Sequence, residues 1–381
     1  MTPKRILFLD CSLTHGGAQR SLYSLMMHLD RERYEPHLLC GNDALYGLLK
    51  QCRKKGINSG FLTIRTWRRT LTGIHQAVID LLKAKPMLNR WIEKNKIDLL
   101  YANGLQAALV CALTAPDDIP VIYHNRDYRC PKRAMRKVLD RAQRTIMISD
   151  FVKNHWSELL PQFEDKMVRV YNGFDFKLMD NLRTQHNYRF ESRMSKETFV
   201  VSYLADLVTW KRHDLFIDAF QKIHQNEGDS FAFIIGGPRD KAGEKLESEL
   251  LKKVEDYDLL EAMAFTDHIL NPFPLLNTSD LVVSTAENEP FGRNIVEALF
   301  CGKPVICTGG GPAEIGAGCP AVEVVEPTVD AVAEAALNWH SKPTKELESL
   351  SEAANVRARA FCISTHIQQI SAEIDACLKQ A

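Results

Sequence analysis

Short apolar runs alternate with helically spaced stretches along the whole chain, and the series begins again near its middle. Runs at 6–9, 36–40, 97–102, 119–123 and 145–148 have the length and composition of buried parallel strands. Between them Leu22, Leu25, Met26 and Leu29, and then Ile74, Val78 and Leu81, recur at helical spacing. A second series follows at 199–204, 231–235, 262–265, 281–284, 304–307 and 321–325, with helical patterns at about 212–225, 242–255, 291–301 and 328–340. No hairpin signal, tandem repeat or low-complexity segment interrupts either series. Two consecutive strand–helix series predict an α/β protein of two doubly wound domains that face each other across a cleft. Ligands of such sheets bind at the carboxyl ends of the strands, so candidate chemistry is sought there.

A chain of 381 residues exceeds one ordinary core and suits two domains. Asn172-Gly173 is a turn signal, and the polar stretch from about 183 to 198 reads as a linker. The expected division is a first domain at 1–185, a linker at 186–198 and a second domain at 199–345. Residues 346–381 form further helices able to run back over the first domain. The net charge is zero, but it is an average of unlike halves. Residues 1–200 hold 33 Lys and Arg against 20 Asp and Glu, whereas 201–381 hold 15 against 28. The surplus of charge in the first half suits an anionic partner, yet no nucleic-acid recognition motif accompanies it. The ten cysteines form no C-x-x-C pair and lie in apolar stretches, which fits reduced thiols in a cytoplasmic protein. Ile6 to Leu9 is too short for a secretory h-region of about 7–15 residues, and no run of about 18 apolar residues exists.

Two strings stand at predicted strand exits. His15-Gly16-Gly17-Ala18-Gln19-Arg20 lies between the first strand and a helix, where adjacent glycines let backbone approach a ligand and free N–H groups face an anion. It lacks the third glycine of a dinucleotide fingerprint, and an ordinary tight turn explains it equally well. The second string is Glu289-Pro-Phe-Gly-Arg-Asn-Ile-Val-Glu297. A strand ends at Ser284, a loop carries Glu289, and Phe291-Gly292 opens a helix containing Glu297. Backbone amides at such a helix start can hold a diphosphate, and the two carboxylates can each accept sugar hydroxyls. Asp256-Tyr257-Asp258 is formally a D-x-D, but its charged helical surroundings favour a solvated face over a metal site.

Glu289 and Glu297 with Pro290-Phe291-Gly292, followed by Ala298-Leu299 and Gly302-Lys303-Pro304-Val305, resemble the signature of retaining glycosyltransferases of family 4. The likeness extends to Gly16–Arg20, Ser149, Val170–Asp175, Trp210-Lys211 and Gly310–Glu314, in the same order. It implies the GT-B fold, with two Rossmann-like domains. It also implies that Glu289 binds the donor sugar, Glu297 the ribose, and Lys211 the leaving diphosphate in place of a metal. Gly16, Gly17, Arg212, Phe291, Gly292, Arg293 and Asn294 would line the donor site, and His124 would match a cleft histidine beside the sugar, with a structural loop histidine as the alternative. The co-substrate would be a UDP- or GDP-linked sugar, with no other cofactor and no metal. One departure is visible: the family string Gly-Arg-Leu-x-x-x-Lys reads Ala205-Asp206-Leu207-Val208-Thr209-Trp210-Lys211 here, so an aspartate occupies the arginine position.

The basic half has two concentrations. One holds Arg65, Trp67, Arg68, Arg69, Lys83, Lys85, Arg90 and Trp91; the other holds Lys132, Arg133, Arg136, Lys137, Arg141 and Arg144. Both mix cations with apolar or aromatic side chains, as a surface for an anionic acceptor or for the inner face of a membrane would, and solvated helix faces are the alternative. The reading is a retaining, metal-independent glycosyltransferase that extends a cell-surface glycan such as lipopolysaccharide, capsule or a lipid-linked oligosaccharide. A non-catalytic sugar-nucleotide-binding subunit, suggested by Asp206, and a nucleotide-sugar epimerase of the same fold are the alternatives.

Overall fold

A computed structural model describes residues 2–12, 16–41, 47–62, 64–65, 67, 70–183, 188–191 and 194–380. His15, Arg68 and Arg69 lie outside the described residues. The chain forms two compact units: Met1–Phe174 with Ile363–Ala381, and Asp175–Cys362.

The first unit runs β1 (Lys4–Asp10), α1 (Gly17–His28), β2 (Tyr34–Cys40), α2 (Leu48–Lys54), β3 (Asn58–Phe61), α3 (Leu71–Asn95) and β4 (Leu99–Asn103). It continues through α4 (Leu105–Thr114), β5 (Val121–Asn125), α5 (Lys132–Arg141), β6 (Arg144–Met147), α6 (Asp150–Leu159) and β7 (Met167–Arg169). All pairings are parallel, in the order β3-β2-β1-β4-β5-β6-β7. Ile6, Phe8, Tyr101 and Ile122 on the sheet pack with Leu22, Leu25 and Met26 of α1 in one apolar cluster. Of Ile74, Val78 and Leu81, which recur at helical spacing on α3, Ile74 and Val78 are exposed in the structure. The buried face is instead Asp80, Ala84 and Leu88. Asp80 can face inward because Arg65 pairs with it at 2.7 Å and Trp67 Nε1 donates to it at 3.2 Å.

The second unit starts with α7 (Phe176–Leu182) and α8 (Tyr188–Glu191), then runs β8 (Phe199–Leu204), α9 (His213–Asn226), β9 (Ser230–Ile235), α10 (Lys241–Asp256) and β10 (Met263–Phe265). It continues α11 (Phe273–Thr278), β11 (Leu281–Ser284), α12 (Arg293–Phe300), β12 (Val305–Cys307), α13 (Gly311–Gly316), β13 (Val322–Val324), α14 (Val329–His340) and α15 (Thr344–Arg359). Its sheet is parallel in the order β10-β9-β8-β11-β12-β13, so β8 sits where the strand order reverses. That reversal is the position at which doubly wound sheets open a crevice for ligands. The core joins Tyr203, Phe216, Phe220, Ile234, Val332 and Trp339.

Two boundaries differ from the sequence expectation. Residues 175–183 belong with the second unit, because Phe176 stacks on Phe300 at 5.5 Å and Arg183 donates to Phe300 O at 3.1 Å. The C-terminal helices do not travel together. α15 stays with the second unit, with Ala354 and Ala358 buried and Asn355 Nδ2 donating to Phe300 O at 2.7 Å. The last helix, α16 (Ile363–Gln380), completes the first unit by burying Ile370, Ile374 and Cys377 in its core. Tyr34 OH donates to Asp375 at 2.6 Å and fastens its far end. Counted by unit, the first holds 29 basic against 18 acidic side chains, +11, and the second 19 against 30, −11. All ten cysteines are free, and among the described residues no helix is long and apolar enough to cross a membrane.

Candidate functional site

In the second unit the exit of β11 carries Thr285 to Gly292 and delivers the chain into α12. Gly292 starts this helix at φ 93°, a conformation that a side chain disfavours. A glycine-rich segment closes on the loop. Gly311 N donates to Glu289 O at 2.7 Å, and a Cβ at Gly311 would lie 2.5 Å from Phe291 Cα. Glu289 is thus held by backbone on both sides rather than carried on a free loop.

The exit of β8 supplies the other wall. Residues 205–212 run from Asp206 through a short 3-10 turn, Thr209–Lys211, into α9. Tyr203 OH donates to Lys211 O, and Thr285 Oγ1 donates to Arg212 O at 2.8 Å. Burial pushes the Tyr203 phenol up, so it stays a neutral donor. Lys211 Nζ makes an ion pair with Glu289, with the two side chains 13% and 12% exposed. It also lies 4.3 Å from the Trp210 ring centroid. The sequence-predicted Lys211 and Glu289, 78 residues apart, therefore meet. Glu297 lies in α12 with Arg293 at 3.8 Å, and Asn294 Nδ2 donates to Leu204 O at 3.0 Å, tying the first turn of α12 to the end of β8. Arg212 turns to Asp214, with contacts of 3.1 Å. His213, under Tyr203 at a ring separation of 4.8 Å, is held neutral: burial first, and then the Lys211 charge, bring its pKa down to about 4. This arrangement can hold an anion beside a carboxylate-lined face. Asp206, the departure from the family string, pairs with Arg239.

Gly16 and Gly17 lie in the first unit, where Gly16 opens α1 after β1. Gly16 N donates to Gln19 Oε1 at 3.0 Å, and Gln19 Nε2 donates to Asp10 Oδ2 at 2.9 Å. The network continues through Asn103 Nδ2 to Asp10 at 2.6 Å, Arg126 Nε to Asn103 Oδ1 at 2.8 Å, and Arg126 to Asn172 Oδ1 at 2.6 Å. Burial raises the Asp10 carboxyl, and hydrogen bonds from Ser12, Asn103 and Gln19 partly offset it. Spacing gave no sign of the network, since Asp10 and Gln19 at the β1 exit meet Asn103, Arg126 and Asn172 from three other strand exits.

His124 is fully buried on β5. Its Nδ1 is hydrogen-bonded to Tyr101 OH at 2.6 Å, and burial, reinforced by Arg126 and then His366, keeps it neutral. Arg126, two residues on, carries the polar contacts at that strand exit. Lys132, Arg133, Arg136 and Lys137 line the exposed face of α5, while Met135, Val138 and Leu139 fill its inner face. Asp256 ends α10, and Tyr257 bonds to Asp218 at 2.7 Å. Among the described residues no group of three or more His, Cys, Asp or Glu side chains is placed to hold a metal ion.

Residues 15–178 match the family described as Glycosyltransferase Family 4, and residues 184–357 match Glycosyl transferases group 1. The chain belongs to glycosyltransferase family 4. It is 23% identical to YtcC of Bacillus subtilis over 269 residues, which is 65% of this chain and 64% of YtcC. The chain spans less than two thirds of the length of the curated relatives it matches. HepE of Anabaena, solved with UDP and glucose, superposes with a TM-score of 0.81 at 22% identity, covering 98% of this chain and 100% of HepE. The lipopolysaccharide outer core galactosyltransferase WaaB superposes with a TM-score of 0.70 at 14% identity, over 98% and 99% of the two chains. The fold is GT-B.

Proposed function

We propose that the chain is a retaining glycosyltransferase that needs no metal and moves a sugar from a nucleotide sugar to a glycan or lipid-linked acceptor. The observation that carries this reading is the Lys211–Glu289 pair beside the loop that leads into α12, with Glu297 about one turn inside that helix. In the step proposed, the bond from the sugar's anomeric carbon to the diphosphate oxygen breaks as the acceptor hydroxyl oxygen bonds to the same face. The hydroxyl proton passes to the departing phosphate oxygen. Lys211 stabilises the charge growing on that diphosphate, and the backbone N–H groups of Phe291, Gly292 and Arg293 donate to its oxygens. Glu289 binds sugar hydroxyls and Glu297 the ribose. His124 is assigned no chemical step, since the structure gives it no exposed surface.

UDP-glucose is the first donor to test, because HepE is solved with UDP and glucose. A role in lipopolysaccharide or another cell-surface glycan is supported by the fold shared with WaaB and by the +11 charge of the first unit. In that unit the basic face of α5 and the exposed Ile74, Val78 and Leu82 beside Lys83 and Lys85 suit an anionic, lipid-linked acceptor or the membrane that holds it. Ten free cysteines suit the reducing cytoplasm. The pairing of Asp206 with Arg239 supports the catalytic reading over a non-catalytic subunit, because the carboxylate is not left facing phosphates alone.

The test is transfer or slow hydrolysis of UDP- and GDP-sugars by the purified chain, with the anomer of the product read by NMR. Glu289→Ala and Lys211→Ala should each lower turnover by about three orders of magnitude, the scale of losing one transition-state donor. Near-normal turnover in either variant would remove the donor-site assignment, and an inverted product would remove the retaining mechanism. Inversion of a sugar stereocentre without transfer to an acceptor or net hydrolysis would point to an epimerase.

A further inference from the structure

Asp206 stands where a cation was expected, and its surroundings are built rather than incidental. Arg239 pairs with its Oδ2, and His268 Nδ1 lies 3.6 Å from its Oδ1. The three side chains come from the exits of three adjacent strands, β8, β9 and β10. Backbone contacts hold those exits together. Ala205 N donates to Ile235 O and Leu207 N to Gly237 O, each at 3.0 Å. Gly236, at φ 142°, leaves no room for a side chain, since a Cβ there would lie 2.1 Å from Ala205 O. His268 Nε2 is hydrogen-bonded to Pro238 O at 3.0 Å. Asp240 then caps α10 by accepting from Ala242 N and Gly243 N at 3.1 and 3.0 Å. Arg239 therefore projects from a segment whose backbone is fixed on both sides.

The segment that carries Asp206 also carries Lys211, and its start is joined to α12 through Asn294. Every cation expected to meet a diphosphate already faces a carboxylate: Lys211 faces Glu289, Arg212 faces Asp214, and Arg293 faces Glu297. A nucleoside diphosphate would bring further negative charge into a unit at −11. Asp206 alone would repel it, whereas Asp206 with Arg239 is neutral. A guanidinium has five N–H donors in a fork suited to phosphate, more than one carboxylate uses, and the Arg239 side chain is 30% exposed.

We propose that Arg239 grips the diphosphate of the donor and is held in reach by Asp206, so that the cation absent from position 206 arrives from the neighbouring strand. The inference rests on the donor reading above. Calorimetric titration of the full-length chain with UDP and UMP, repeated with GDP and GMP, tests it, because the diphosphate and monophosphate differ in the group concerned. Arg239→Ala should weaken UDP roughly tenfold or more and UMP by less than about threefold, with Arg239→Lys in between. The exchange of Asp206→Arg with Arg239→Asp should restore the preference for UDP over UMP, and it decides the matter if Arg239→Ala fails to fold. A ratio of UDP to UMP affinity that stays at the wild-type value in folded Arg239→Ala, or an exchange variant that folds without the preference, overturns the proposal. If wild type binds neither UDP nor GDP, the donor reading itself fails. That outcome is distinct from Lys211→Ala losing UDP while Arg239→Ala keeps it, which sinks the Arg239 inference alone.

Discussion

Removing one partner of the Lys211–Glu289 pair leaves the other charge mostly buried without its counter-ion, and that is costlier than removing both. Lys211→Met and Glu289→Gln should each lower stability by roughly 3 kcal/mol, and the double variant by less than either, as measured by urea unfolding. A double variant as unstable as the sum of the singles would mean that the two residues do not interact in solution. His213 gives a pH signature. Its folded pKa of about 4 lies below the unfolded value of about 6.5, so the unfolded chain binds the proton first. The associated stability is fully present above pH 6.5 and is lost as pH falls toward 4, by up to about 3 kcal/mol. His213→Phe should flatten the loss of stability between pH 6.5 and 4.5 relative to wild type. The two glutamates and the lysine were legible because each stands in a dense string of neighbours. Arg239, Arg126 and Asp10 were not, since what joins each of them to its partners is the convergence of strand exits and no local pattern records that.

At the scale of elements, the loop before α12 and the glycines that open α13 behave as one unit. A methyl group at Gly311 would collide with the backbone of Phe291, and neither side can yield as a flexible side chain would. Gly311→Ala should therefore cost roughly 2–3 kcal/mol and also weaken nucleotide binding, read together by thermal shift with and without UDP. A variant that loses stability but keeps UDP affinity would separate the glycine clamp from the site. All six strands expected between 199 and 325 are present, the four central ones as continuous apolar runs and the edges β10 and β13 as short, mostly apolar stretches. β3 and β7 were not read as strands. Both are edges, β3 being Asn58-Ser-Gly-Phe61 and β7 only Met167–Arg169, so neither needs a run buried on two faces. On α3 the helix was legible and its inward face was not. Asp80 is buried with Arg65 and Trp67 as partners, and an apolar count cannot register a satisfied carboxylate as core.

For the whole molecule, the balanced charge resolves into two units of opposite sign, and the C-terminal helix belongs to the basic one. Truncation after Cys362 strips Ile370, Ile374 and Cys377 from the core of the first unit. It should cost that unit about 5 kcal/mol on the area scale, while residues 175–362, a continuous stretch, keep their own transition in calorimetry and their affinity for UDP. Loss of both transitions together would show that neither unit is stable without the other. The second unit leaves and re-enters the first at one spot, where Ile363 N donates to Phe174 O at 2.9 Å and Gly173 is packed too closely against His366 for any side chain. In genetic terms, the segment encoding 175–362 is a cassette set into a single seam of the first unit. A double crossover at its two ends could exchange it whole without disturbing a strand of either sheet.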